Sequence, residues 1–123
     1  MRVLITGGAG YIGSRAVRQL AKQGHEVVVY DNLSTGHLCS VEGYECIIAD
    51  IAGQEKLSLA LRGTDAVMHF AAYSRVTESM SNPRKYFENN LRSGLSLLTA
   101  VLKAKLPYFI LSSTCALYGL PAI

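Results

Sequence analysis

Short apolar runs alternate with amphipathic stretches along nearly the whole chain. Val3-Leu4-Ile5 is a β-favouring run that stops at a glycine cluster, the pattern of a buried strand. Over residues 11–23 the apolar Ile12, Ala16, Val17, Leu20 and Ala21 recur at helical spacing, and Gly24 supplies the stop. Residues 27–30 read as a second buried strand, 32–43 as a loop rich in Ser, Thr, Gly and His, and 46–49 as a third strand. Residues 54–62 form a short helix with Leu57, Ala60 and Leu61 on one side, and residues 66–70 a fourth strand. A polar loop follows, after which Pro83 opens a long helix that runs to about Lys105. Pro107 comes next, and residues 108–111 make a fifth strand.

Strands that are apolar throughout, separated by helices, imply a parallel sheet covered on both faces. The expected fold is therefore α/β, a Rossmann-type doubly wound sheet. Right-handed crossovers favour the strand order 3-2-1-4-5. The 123 residues contain no repeat or linker, so residues 1–123 read as one domain.

Half of the residues are hydrophobic and mean hydropathy is +0.22, which excludes a disordered chain. The net charge of +3 is carried by scattered basic residues, not by a stripe that would track phosphates along a duplex, so nucleic acid is not an expected partner. Cys39, Cys46 and Cys115 show no CxxC or Cys/His spacing, so no metal site is expected, and unpaired thiols fit a reducing, cytoplasmic setting. Only three apolar residues stand between Arg2 and Thr6, too few for a signal-peptide core. The late apolar stretch, residues 95–111, is broken by Lys103, Lys105 and Pro107 and does not read as a membrane span.

The chemistry gathers at the first strand–helix junction. Gly7, Gly10 and Gly13 form a GxxGxxG spacing between a strand and a helix. The first glycine allows a tight turn, the second leaves room for a pyrophosphate against the backbone, and the third lets the helix sit close to the sheet. The plain alternative is an ordinary βα turn. Asp31 closes the second strand 18 residues after Gly13. A carboxylate there accepts hydrogen bonds from both adenosine ribose hydroxyls and repels a 2′-phosphate, so NAD is expected in preference to NADP; otherwise Asp31 merely caps the loop. Asp50 and Ile51 follow the third strand at the same edge, where they would meet adenine, unless Asp50 is a helix N-cap.

Five segments carry a resemblance: TGGAGYIGS at residues 6–14, YDNLSTGH at 30–37, HFAAYSRVTES at 69–79, NPRKYFENN at 82–90 and LSSTCALYG at 111–119. Together they resemble the UDP-glucose 4-epimerases of the NAD-dependent epimerase/dehydratase family, in the extended short-chain dehydrogenase/reductase superfamily. The resemblance implies an isomerase that keeps NAD bound, oxidises the sugar 4-hydroxyl to a ketone, turns the keto sugar and returns the hydride to its other face. It implies that Gly7, Gly10, Tyr11, Ile12 and Gly13 serve the pyrophosphate. Asp31, Asn32, Ser34 and Gly36 would serve the ribose, and Asp50 and Ile51 the adenine. Phe70, Ala71 and Ala72 would line the nicotinamide side. Ser74 falls where relatives carry Ser or Lys on the cofactor, Asn90 matches a cofactor-contacting Asn, and Ser112 follows the fifth strand.

Thr114 matches the catalytic Ser/Thr, which positions the substrate oxygen; apart from the resemblance it reads as a turn threonine. Cys115 reads as packing. Arg15 stands where relatives usually have His, and Ser93-Gly94 where Gly-Thr is usual, a shift expected to cost about 1 kcal/mol of helix stability.

The family's base is the Tyr of a Tyr-x-x-x-Lys pair, in which the Lys lowers the phenol's pKa. None of the seven Tyr residues has Lys four positions on; Tyr118 is followed at that distance by Ala122. The expected reading is the NAD-binding N-terminal part of such an enzyme, inactive alone, its UDP-sugar bound by segments not in this sequence. The alternatives are another nucleotide-sugar epimerase, dehydratase or decarboxylase, or a stand-alone NAD-binding module without catalysis. On the helix over residues 83–105, Phe87, Leu91, Leu95, Leu98 and Leu102 form one apolar stripe and Leu97, Val101 and Ala104 a second. That is more width than one sheet contact needs, and the resemblance implies a homodimer through this helix.

Overall fold

In the computed structural model, which describes residues 1–119, strand β1 (Arg2–Thr6) lies at the centre of a five-stranded parallel sheet. The order is β3-β2-β1-β4-β5, as the crossover rule requires, with β2 at Glu26–Asp31, β3 at Glu45–Ile48, β4 at Ala66–His69 and β5 at Tyr108–Leu111. β1 pairs Val3 with Val27 on one side and with Ala66 on the other. Both central strands are covered on both faces, so their apolar residues alternate between two cores. Leu4, Val28, Tyr30 and Val67 face Leu57, Leu97 and Val101, while Val3, Ile5, Val27 and Val29 face Val17 and Val41. The edges are less covered, with Ile48 and Leu111 more than half exposed.

Helix α1 (Tyr11–Lys22) ends as its sequence predicts. Gly24 takes φ +82°, its N–H donates to the Ala21 carbonyl, and the His25 N–H donates to that of Leu20. This paired closure satisfies carbonyls that the helix leaves over. A 3₁₀ turn, Leu38–Val41, interrupts the loop after β2 and buries Val41. Helix α2 (Gln54–Ala60) buries Leu57 and Ala60.

Two expectations are corrected. The polar loop after β4 contains helix α3 (Val76–Ser81), a six-residue piece whose Val76 and Met80 are exposed. The long helix is not uniform. It begins as α4 (Pro83–Tyr86), widens into a π segment (Phe87–Ser93) and resumes as α5 (Gly94–Lys103). The Ser93 hydroxyl donates to the Glu88 carbonyl five residues back, the spacing of the wider turn. Asn82 caps the start through Oδ1, which accepts from the Lys85 N–H. Gly94 keeps helical dihedrals, φ −62° and ψ −43°, between helical neighbours, the setting in which a glycine costs helix stability. Gly94 opens α5, and a Cβ there would lie 3.7 Å from His69 Nε2, an ordinary contact. The side chain of Cys115 and the whole of Ala122 lie outside the described residues.

Candidate functional site

The carboxyl ends of β1, β2, β4 and β5 converge on one side of the sheet, where a doubly wound fold presents ligand sites. The turn after β1 is fixed by its glycines. Gly7 has φ +73°, and a Cβ there would lie 2.5 Å from the Ala71 nitrogen, so the turn touches the chain leaving β4. A Cβ on Gly13 would collide with the Gly7 carbonyl, which is how α1 comes to sit against the turn. Gly10 differs, because a Cβ there would meet only the Gly7 oxygen, at 3.2 Å. Its other side is open. Gly10 is the N-cap of α1, no side chain caps that end, and no acidic residue occupies the first turn. The first-turn N–H groups therefore face outward between the exposed side chains of Tyr11 and Ile12.

Asp31 is buried at the end of β2, and both carboxylate oxygens are used. Oδ2 accepts from the Ala9 N–H at 3.0 Å and Oδ1 from the Leu33 N–H at 2.8 Å. Asp31 thus caps its own loop and also ties it to the glycine turn. Each oxygen keeps a lone pair for a further donor. Gly36 presses on Ala9, where a Cβ would lie within 2.9 Å of the Ala9 carbonyl carbon and Cβ. Asn32 Nδ2 donates to Asp50 Oδ2 at 2.7 Å, so the loops after β2 and β3 are joined. Asp50 Oδ1 accepts from the Ala52 N–H, whereas the N-cap of α2 is Gly53, so Asp50 caps a turn and not the helix. The Tyr30 hydroxyl donates to the Asp50 carbonyl, and burial pushes its pKa up, with the Asp50 charge adding to the effect. Ile51 is buried in the core with Leu57 and Leu61, so its side chain is committed to packing.

Leaving β4, Phe70 and Ala71 are half-buried and Ala72 and Ser74 exposed. Asn90 pairs with the Tyr73 backbone in both directions: Oδ1 accepts from the Tyr73 N–H at 2.9 Å, and Nδ2 donates to the Tyr73 carbonyl at 2.8 Å. Asn90 Oδ1 also accepts from Asn89 Nδ2. The amide expected on a cofactor is therefore engaged in holding this loop. The Tyr73 hydroxyl donates to Ser34 Oγ at 3.3 Å, and the Lys85 ammonium lies 4.2 Å from the Tyr73 ring centroid. Lys85 and the Tyr86 hydroxyl both donate to the Glu78 carboxylate, which holds the Glu78 carboxyl below its ordinary pKa. At the base of the loop, buried His69 shares a 2.7 Å hydrogen bond between Nδ1 and the Thr6 hydroxyl, and burial lowers its pKa. The Ser112 N–H donates to the His69 carbonyl, and Ser112 and Thr114 are exposed beyond β5.

The glycine turn, Asp31, Asn32, Gly36 and Asp50 thus form one connected group, and Ser34 links it through Tyr73 to Asn90. Tyr73, Glu78, Lys85 and Tyr86 were not candidates from the sequence. The Glu-Ser and Pro-x-x-Tyr spacings of the quoted segments were the signal available for them. A cavity of about 770 Å³ opens beside Asp50 against Tyr73, Asn89 and Arg92, and one of about 430 Å³ lies at the glycine turn. The smaller of the two adjoins the open helix end. Among the described residues, no three His, Cys, Asp or Glu side chains could hold a metal, and no helix is long and apolar enough to cross a membrane.

Comparison with known proteins places the chain in context. The model of the NAD dependent epimerase/dehydratase family matches residues 3–123. A UDP-glucose 4-epimerase of Lactobacillus helveticus is 48% identical over 98% of this chain, which covers 38% of that protein. A UDP-glucose 4-epimerase of Brucella ovis solved in complex with NAD superposes with TM-score 0.93 at 44% identity, over 99% of this chain and 38% of the other. One from Stenotrophomonas maltophila, with bound NAD and formylated UDP-arabinopyranose, gives TM-score 0.95 at 36% identity, over 100% and 40%. The chain thus spans about 38% of the length of the relatives it matches.

Proposed function

Because this chain belongs to the NAD dependent epimerase/dehydratase family, we propose that residues 1–123 are the NAD-holding portion of a UDP-glucose 4-epimerase, interconverting UDP-galactose and UDP-glucose. The observation that carries the reading is the uncapped start of α1, open at Gly10 and joined through Ala9 to the Asp31 carboxylate. That arrangement suits a dinucleotide, with helix N–H groups for the pyrophosphate and a carboxylate for the ribose diol. Gly7 and Gly13 shape the cradle, and Tyr11 and Ile12 flank it. Asn32, Ser34 and Gly36 border the ribose, and Asp50 borders the adenine with the backbone of Ile51. Phe70, Ala71, Ala72, Ser74 and Ser112 border the nicotinamide end, and Asn90 serves it by holding Tyr73.

Bound NAD supplies the hydride acceptor and donor for the sugar's C4. The Thr114 hydroxyl holds the substrate oxygen in position for loss of its proton. The exposure of Phe87, Leu91, Leu95 and Leu102 supports a homodimer in which a second copy covers them. The free thiols of Cys39 and Cys46 support a cytoplasmic setting.

Calorimetric titration of the chain with NAD tests the reading. Gly10→Ala, at φ −75° and with its Cβ 3.2 Å from the Gly7 carbonyl oxygen, should lower the melting temperature slightly while NAD affinity falls by about tenfold or more. Undiminished binding in that variant, or no NAD heat with the parent chain, would refute the cradle.

A further inference from the structure

The side chain of Tyr73 is held far more firmly than a loop residue requires. Its backbone is clamped by Asn90, which accepts from the Tyr73 N–H at 2.9 Å and donates to the Tyr73 carbonyl at 2.8 Å. Its ring lies 4.2 Å from the Lys85 ammonium and 5.8 Å, centroid to centroid, from the ring of Tyr86. Lys85 and Tyr86 are fixed in turn, because both donate to the Glu78 carboxylate. A phenol ordered in this way loses little further freedom when its hydroxyl is held in one place. That hydroxyl donates to Ser34 Oγ at 3.3 Å. Ser34 is anchored on its own side: its N–H donates to Asn32 Oδ1 at 3.0 Å, and Asn32 Nδ2 donates to Asp50 Oδ2.

The two residues lie 39 positions apart, on loops that leave different strands. The strand order sets β1 between β2 and β4, so a bond from the loop after β2 to the loop after β4 spans the carboxyl end of β1, where the glycine turn lies. Ser34 follows Asp31 at the ribose end of the cradle, and Tyr73 stands between Ala72 and Ser74 at the nicotinamide end. Ser34 is exposed and Tyr73 half-buried, so the bond can part without unpacking the core. We propose that the Tyr73 hydroxyl and Ser34 form a clasp that gates exchange of the dinucleotide, the phenol governing how fast the cofactor enters and leaves. This inference rests on the dinucleotide reading of the glycine turn and names the group that sets how long the cofactor stays. Entry and exit pass the same bond, so removing it speeds both and leaves the equilibrium nearly unchanged.

Stopped-flow mixing of the chain with NADH, followed by its fluorescence, reads the entry rate, and a chase with excess NAD reads the exit rate. Tyr73→Phe keeps the ring between Lys85 and Tyr86 and removes only the hydroxyl; circular dichroism and thermal melting check that it folds as the parent does. Both rates should rise by about fivefold, inside the roughly two- to tenfold that one net hydrogen bond adds to an opening equilibrium, while Kd changes by less than about twofold. In a Ser34→Ala background the same substitution should speed neither rate further, because the bond is already gone. Unchanged rates in Tyr73→Phe would overturn the clasp. So would a faster exit alone with weaker binding, since the hydroxyl would then be a contact of the cofactor. Acceleration that persists undiminished in the Ser34→Ala background would overturn it too. In all three cases the chain still binds NADH, and the dinucleotide reading stands. Absence of NADH binding by the parent chain would instead remove the cradle, and the clasp with it.

Discussion

Replacing Gly7 with Ala perturbs the glycine turn in two separable ways. The residue sits at φ +73°, a conformation that costs an L-residue with a Cβ about 1–2 kcal/mol. The added methyl would also lie 2.5–2.7 Å from Ala71 N, Phe70 C and Ala71 Cα, all of them backbone atoms that cannot rotate away. Forcing a methyl into such a contact costs about 1–3 kcal/mol. The expected loss is thus about 3 kcal/mol, or about 12 °C of melting temperature for a domain of this size. Gly24→Ala is the matched control. It has the same sign of φ, at +82°, with nothing within 4 Å of the new methyl. Relief of unfolded-chain entropy offsets part of its strain, so its loss should be near 1 kcal/mol, about 4 °C. Thermal unfolding followed by far-ultraviolet circular dichroism reads both, with urea midpoints at equal m-value as a check. If Gly7→Ala melts within about 3 °C of Gly24→Ala, the contact between the turn and the β4 exit contributes nothing and the reasoning fails.

Other consequences are as open to measurement. His69 is held neutral by burial, so between its lowered folded value and the ordinary 6.5 the unfolded chain binds more protons than the folded one. Stability should therefore fall as pH drops below about 6.5, with a slope approaching about 1.4 kcal/mol per pH unit. His69→Gln should flatten that slope in urea titrations at pH 5–7, and an unchanged slope would assign the effect elsewhere. Leu91→Glu, on the exposed stripe of the π segment, should shift sedimentation toward monomer with little change in melting. A parent chain that sediments as a monomer at every concentration would count against self-association through this face.

The parallel sheet and its order were legible because buried strands must be apolar along their whole length, as Val27 to Tyr30 are. The glycine turn and Asp31 were legible because backbone shape and one carboxylate suffice to mark them. Helix α3 left no trace in the pattern, since its apolar residues Val76 and Met80 face outward and it is held by polar contacts near Glu78. The π segment was equally hidden. Its apolar spacing still reads as helical, and the Ser93 hydroxyl that donates to the Glu88 carbonyl is a polar contact that no hydrophobic period marks. Asn90 was expected on a cofactor from its segment, and its part as a loop holder was not legible, because its partner Tyr73 lies 17 positions away. Ile51 shows a similar limit, since adjacency to Asp50 says nothing of which way the next side chain turns.

The π segment also sets a phase relation between two halves of one continuous helical path. One residue of an α-helix is about 100° of rotation. Removing a single residue from the segment would rotate α4 and Asn90 by about that angle relative to α5, while Leu97 and Val101 kept their places in the core. Asn90 would then point away from Tyr73, and the tether that reaches Ser34 through the Tyr73 hydroxyl would part. The extra residue is therefore a register setting: it lets the same helix be anchored rigidly by its second half and aimed by its first.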